Sequence, residues 1–315
     1  MTETTFGTTD AAPSMRAVRL HEAGGPDQLS LDRVAVPTPG PGEVLVRVHS
    51  AAITRDELEW PVDRLPAIPS YELSGVVASV SAGVDPALIG QAVFGLTAFD
   101  RDGAAADFAA VPAELLAPKP DNLDHSHAAT LPLPGLSAWQ GLFEHGGLYK
   151  EQRVLILGAT GGVGQFATQL ARLHGAYVIG TASRASRELA GRLGAQEVLD
   201  PADADALTGL APVDLVFDTV GGDLVRGAGA RIRSGGRLVS VAAEPPKPTD
   251  DSVATTYFVV EPNRDQLAEL GRLAGNGDLL AAVDSVFPLE RAREAFARSQ
   301  ASRKHGKVVL SVVDE

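Results

Sequence analysis

The stretch Arg153-Val-Leu-Ile-Leu-Gly158-Ala-Thr-Gly161-Gly-Val-Gly164-Gln-Phe-Ala167 leaves this chain few folds to choose from. An apolar run ends on a glycine, more glycines follow at once, and an apolar helix-type run begins directly after them. A Gly-x-x-Gly-x-x-Gly string alone is weak, because glycines are common in turns. Between a strand and a helix it predicts the phosphate-binding turn of a dinucleotide fold. Such a turn must bend sharply, approach a pyrophosphate closely and present free helix N–H groups to the anion. The residues placed to do so are Thr160, Gly161, Gly162 and Val163. A tight strand–helix turn with no ligand is the plainer alternative.

The order of elements around this motif points the same way. Predicted strands at 153–157, 176–180, 197–200 and 215–218 alternate with helices at 162–173 and 187–193, which predicts a parallel sheet. Helices at 124–131 and 136–145 precede it, so this unit is expected to span 121–285. Upstream, Met15–Leu20 and Glu43–His49 alternate apolar and polar residues, the pattern of half-buried strands, with Pro37–Gly42 as a turn between them. Further β-type runs fall at 74–80 and 91–95. Residues 15–120 therefore read as a β-rich domain, and 286–315, a helix then a strand, are expected to complete it. Residues 1–14 are small, polar and acidic, and are expected to form a disordered leader, not a signal peptide. The fold class is α/β, a doubly wound parallel sheet plus a second, β-rich domain.

Composition removes several functions. Among 315 residues, 27 Lys and Arg face 40 Asp and Glu, a net charge of −13, so nucleic acid and anionic membranes are poor partners. With no Cys there is no disulfide, no thiolate nucleophile and no cysteine-ligated zinc. No run approaches membrane-helix length. A cytoplasmic protein is expected.

The tip of the second strand selects the dinucleotide. NAD-binding folds carry Asp or Glu there to hold the ribose 2′-hydroxyl. Here the segment is Val178-Ile-Gly-Thr-Ala-Ser183-Arg184. An acid would repel a 2′-phosphate, whereas Ser183 and Arg184 suit one, the arginine with a planar, permanently charged donor fork. NADPH is expected.

Taken together, Met15-Arg-Ala-Val, Pro39–Val48, Gly158–Gly164, Leu193–Asp200, Phe217-Asp-Thr-Val-Gly221 and His305-Gly-Lys-Val-Val-Leu310 occur in an order that resembles the medium-chain dehydrogenase/reductase superfamily. Within it the chain is similar to the zinc-free quinone oxidoreductase (ζ-crystallin-like) branch, from Met15 onward. The resemblance implies a partly open, GroES-like barrel as catalytic domain, a Rossmann domain, NADPH in the cleft between them, and a homodimer. It implies contacts to the nicotinamide side from Ser137, a cofactor-lining loop at Val220 and Gly221, and a carboxamide-gripping backbone through Phe258 and Val260. Lys307 is implied near the adenosine ribose or phosphate. Where zinc-binding members carry Gly-His-Glu, this chain has Ser70-Tyr71-Glu72, so no metal site is expected. His125 and His127 read as surface residues at a helix start.

Without a metal or a thiol, alcohol oxidation lacks a means to acidify the hydroxyl, whereas a conjugated acceptor needs less help. Reduction of a quinone or an α,β-unsaturated carbonyl is therefore the expected activity, with a small-molecule acceptor as partner. The protein must position the acceptor and offer a hydrogen bond to the oxygen that gains charge. Tyr71 is the candidate donor, with packing as its alternative. Thr54 stands near the position where the resemblance implies an Asn. Glu72 and Asp56 are expected to meet Arg55 or another nearby cation, and Trp60, Leu65 and Phe99 to form an apolar acceptor wall or part of the core. An enoyl-thioester reductase, or a non-catalytic NADPH-binding sensor or structural protein, are the other readings.

Overall fold

The computed structural model describes residues 13–60, 63–203, 205–301 and 304–313. Most of the expected leader lies outside these residues. Ser14 is already in a strand, opposite Ala35 in the hairpin Ser14–Leu20/Leu29–Ala35.

Two larger sheets carry the molecule. One is parallel and six-stranded, in the spatial order Glu197–Leu199, Tyr177–Thr181, Arg153–Leu157, Val213–Asp218, Ile232–Ser240, Ala254–Tyr257. The chain winds outward on one side from Arg153–Leu157 and then on the other from Val213–Asp218. Between those two central strands the direction of winding reverses, and ligands of such sheets bind outside the carboxyl ends at that point. Register lines up those ends: Leu157 faces Asp218, Asp218 faces Ser240, and Ser240 faces Tyr257.

The second sheet has seven strands, mostly antiparallel. Its path is Val283–Pro288, Lys307–Ser311, Glu43–Ile53, Glu72–Val80, Ala92–Leu96, Leu116–Pro118, with Phe108–Pro112 also on Glu43–Ile53. The C-terminal strand thus adds directly to the N-terminal sheet, and Val283–Pro288 crosses the 285/286 position into it. Here too register decides the chemistry. Ile53 lies opposite Val308 and Ala52 opposite Glu72, so Thr54, Glu72 and Lys307 meet at one end of three adjacent strands.

A single apolar cluster joins the two sheets: Tyr71 and Phe94 from the second pack with Leu131, Leu136, Phe217, Phe258 and Val260. The sequence predicts one helix over 136–145. The structure instead has an α-helix Pro132–Trp139, followed by a wider π-helical turn Gln140–His145. Proline at the first position suits a helix start, and π turns of this kind recur at functional sites. Among the described residues no helix is long and apolar enough to cross a membrane.

Candidate active site

The glycine loop has the geometry a pyrophosphate requires. Gly158 sits at φ +82°, a left-handed conformation, with Val220 of the facing loop so close that a Cβ would lie 2.5 Å from its Cγ1. At Gly164 a Cβ would lie 1.9 Å from the Gly158 carbonyl oxygen, so only glycine lets helix Gly162–Leu173 start this close to the turn. Gly161 and Gly162 are exposed, and a Cβ at Gly162 would meet nothing within 4 Å. Tight packing behind and open space in front of a helix N-terminus fit an anionic ligand.

Asp218, missed in the sequence, braces the opposite loop. Its Oδ1 accepts from the N–H groups of Val220 and Gly221 at 3.1 and 2.9 Å, and its Oδ2 from Ser240 Oγ at 2.7 Å. An acid closing an apolar strand, as in Val213–Asp218, is the signal that could have found it. Val220 itself is exposed, held at the crevice mouth by a buried carboxylate.

At the second strand's tip Ser183 and Arg184 are both exposed, and no carboxylate among the described residues pairs with Arg184. Arg187, one turn on and also exposed, adds a second cation that sequence reasoning passed over. The Ser137 hydroxyl donates to Leu133 O at 2.7 Å within its own helix and is buried. Phe258 and Val260 are buried while Val259 is exposed, and the Phe258 ring lies on His145 at 4.3 Å between centroids.

Tyr71 is buried among aromatic rings: Trp60 stacks on it at 5.5 Å and Phe99 meets it edge-on at 5.3 Å. Its oxygen accepts from Arg64 Nη2 at 2.8 Å, and the same nitrogen donates to Phe99 O at 2.8 Å. No described residue accepts the Tyr71 hydroxyl proton. Burial raises the phenol's pKa while the Arg64 guanidinium works against that rise. Ser70, just before it, is fully buried at φ +65°, a backbone conformation suited to the glycine the resemblance places there.

Lys307 is where the structure corrects the sequence reading. Its side chain does not lie beside an adenosine phosphate: it is 6% exposed, with Nζ on Glu72 and, at 2.9 Å, on Thr54 Oγ1. Glu72, 1% exposed, also accepts from Thr54 Oγ1 and from Leu133 N–H. The cation that meets Glu72 is therefore Lys307, not Arg55. Beside this pair, Glu57 accepts from the N–H groups of Thr54 and Ser70 at 3.1 Å, and burial pushes its pKa up to about 8. Thr54 thus belongs to a buried polar cluster.

His125 is a second correction. It is half-buried, with Nδ1 2.8 Å from Ser74 Oγ and its ring 4.2 Å from that of His49, and burial pulls its pKa down to about 4. His127 is on the surface, paired with Asp124 at 2.8 Å. Among the described residues no group of three or more His, Cys, Asp and Glu is arranged around a metal position. At Tyr71 and Glu72 the donors do not fit zinc, because the Glu72 oxygens are already taken by Lys307, Thr54 and Leu133.

Comparison with known proteins extends these observations. Residues 40–121 match the alcohol dehydrogenase GroES-like domain and residues 193–310 the zinc-binding dehydrogenase family. A probable zinc-binding oxidoreductase, mitochondrial, of Arthroderma benhamiae is 33% identical over 305 residues, spanning 88% of this chain and 92% of the relative. A chloroplastic NADPH-dependent alkenal/one oxidoreductase of Arabidopsis thaliana is 31% identical over 320 residues, spanning 94% of this chain and 79% of its own. Among solved structures, the quinone oxidoreductase from Coxiella burnetii superposes with a TM-score of 0.87 at 26% identity, over 96% of this chain and all of that one.

Proposed function

Because the chain belongs to the medium-chain dehydrogenase/reductase superfamily, in its quinone oxidoreductase branch, we propose that it reduces a quinone or an α,β-unsaturated carbonyl with NADPH and without zinc. The observation that carries this is the Gly158–Gly164 loop, which has no room for a side chain behind it and open space before it. Bound NADPH supplies a hydride; the chain supplies position and hydrogen bonds. Residues 121–285 hold the cofactor, through Thr160, Gly161, Gly162 and Val163 at the pyrophosphate and Ser183 and Arg184 at the 2′-phosphate. Ser137, Val220, Gly221, Phe258 and Val260 lie toward the nicotinamide. Residues 15–120 with 286–315 hold the acceptor, which rests on Trp60 and Phe99 while Tyr71 donates to the oxygen that gains charge.

NADPH oxidation with a panel of 1,4-quinones and enones tests this, with and without a chelator. The expected result is consumption that chelation leaves intact. Tight NADPH binding with no acceptor consumed would replace catalysis by sensing. A cytoplasmic homodimer belongs to the same reading, the second copy adding beside the edge strand Ala254–Tyr257, where Tyr257 is exposed.

The cofactor choice has its own test. A charge-assisted hydrogen bond contributes ~1.5–3 kcal/mol. Arg184→Ala is therefore expected to weaken NADPH binding about ten- to a hundredfold and leave NADH binding unchanged. Calorimetric titration showing equal affinities in the wild type would end the NADPH assignment.

A further inference from the structure

Phe258–Pro262 continues from strand Ala254–Tyr257 at the carboxyl end of the parallel sheet, the same end as the glycine loop, yet it belongs to no helix or strand. One side chain from elsewhere fixes its shape. Gln140, buried in the π-helical turn, accepts from Glu261 N–H at 3.1 Å and donates from Nε2 to Glu261 O at 2.8 Å. The amide thus pairs with this peptide as a neighbouring strand would. The same Nε2 donates to Gln266 Oε1 at 3.0 Å, and Gln266 donates onward to Glu144. Of the two donors and two acceptor lone pairs of a side-chain amide, most are committed, so Gln140 cannot turn without stranding buried polar groups.

What the splint leaves open is as informative. Between Phe258, whose N–H donates to Ser240 O at 3.2 Å, and the clamped Glu261, the backbone groups of Val259 and Val260 bond to no described residue. Unpartnered backbone N–H and C=O groups, beside an exposed Val259, complement a primary carboxamide, which offers one acceptor oxygen and a donor NH₂. Resting on the NADPH reading above, we infer that Gln140 is a positioning residue for the nicotinamide end of the cofactor, holding 258–262 in the form that receives the carboxamide.

Two ligands separate this role from plain stability. Adenosine 2′,5′-bisphosphate carries the adenosine end of NADPH and lacks nicotinamide. Gln140→Met removes all three amide hydrogen bonds at similar volume. It is expected to raise the NADPH Kd about 10- to 100-fold and to leave the bisphosphate Kd within about twofold. Equal losses for both ligands, or no loss for either, overturn the inference. Hydrogen–deuterium exchange of the wild-type chain gives an arm that needs no variant. NADPH should slow exchange at 258–261, whereas the bisphosphate should slow it only around 158–164 and 183–187. NADPH protecting the glycine loop but not 258–261 overturns the role of Gln140 alone; protection by neither ligand removes the cofactor reading with it.

Discussion

Lys307→Met is expected to destabilise the fold by about 3–5 kcal/mol near pH 8, because removing one partner of a buried ion pair leaves the other charge uncompensated. The partner is Glu72, which keeps only its hydrogen bonds from Thr54 and Leu133. Nearby stands Glu57, a second buried carboxyl, so the variant would enclose two acids without a cation. The pH dependence has a definite sign. Both carboxyls have folded-state pKa values raised by burial, Glu57 up to about 8. A carboxyl raised in this way binds its proton more tightly folded than unfolded. Its contribution is fully present below the ordinary carboxylate range and is lost as pH rises toward the folded value. Wild-type stability should thus decline between about pH 5 and 8, and Lys307→Met should steepen the decline, since protonated Glu72 tolerates the loss of the ammonium better than ionised Glu72 does. Urea unfolding at pH 5 and pH 8 measures this. A midpoint shift equal at both values would show that Lys307 acts by packing, and Lys307→Met combined with Glu72→Gln should recover much of the loss at pH 8.

That cluster also marks how far the sequence could be read. The dinucleotide turn was legible because much of its demand is local: Gly161 and Gly164 answer to the Gly158 carbonyl three and six residues back, Gly158 itself turns through a left-handed φ, and flanking strand and helix signals give them context. The parallel sheet and the helix N-terminus follow from the same stretch. Lys307 was misread because its partner lies 235 residues away, brought to it by strand register. An alternating strand pattern shows which face a residue occupies, not which strand will lie beside it. His125 failed for a similar reason: a helix-start histidine reads as solvated until the two sheet strands carrying His49 and Ser74 pack against it. Gln140 offered one faint signal, an uncharged polar residue within an apolar helix pattern, and its use depends on the non-local segment at Glu261. The Arg64–Tyr71 contact spans only seven residues, but the connecting turn has no motif that announces it.

Tyr71→Phe is expected to slow enone reduction about 10²–10³-fold, the range seen when one preorganised donor to a developing oxyanion is removed, ~2.7–4 kcal/mol. The substitution keeps the ring, so its stacking on Trp60 and its edge contact with Phe99 remain. Only the hydroxyl goes. In the wild type that hydroxyl accepts from Arg64 and has no acceptor for its own proton among the described residues, so the proton is available to a ligand oxygen. The guanidinium has a second consequence: positive charge on the phenol oxygen's acceptor side favours release of the proton as the enolate forms, against the burial that raises the pKa. Quinone reduction should fall less, because quinones are stronger electrophiles and their reduced anions need less stabilisation. NADPH affinity should not change, since Tyr71 belongs to the acceptor side. Steady-state rates for one enone and one quinone, with cofactor binding measured separately, distinguish these terms. Enone turnover at the wild-type rate would remove Tyr71 from the chemistry, leaving it a packing residue and making solvent water the donor.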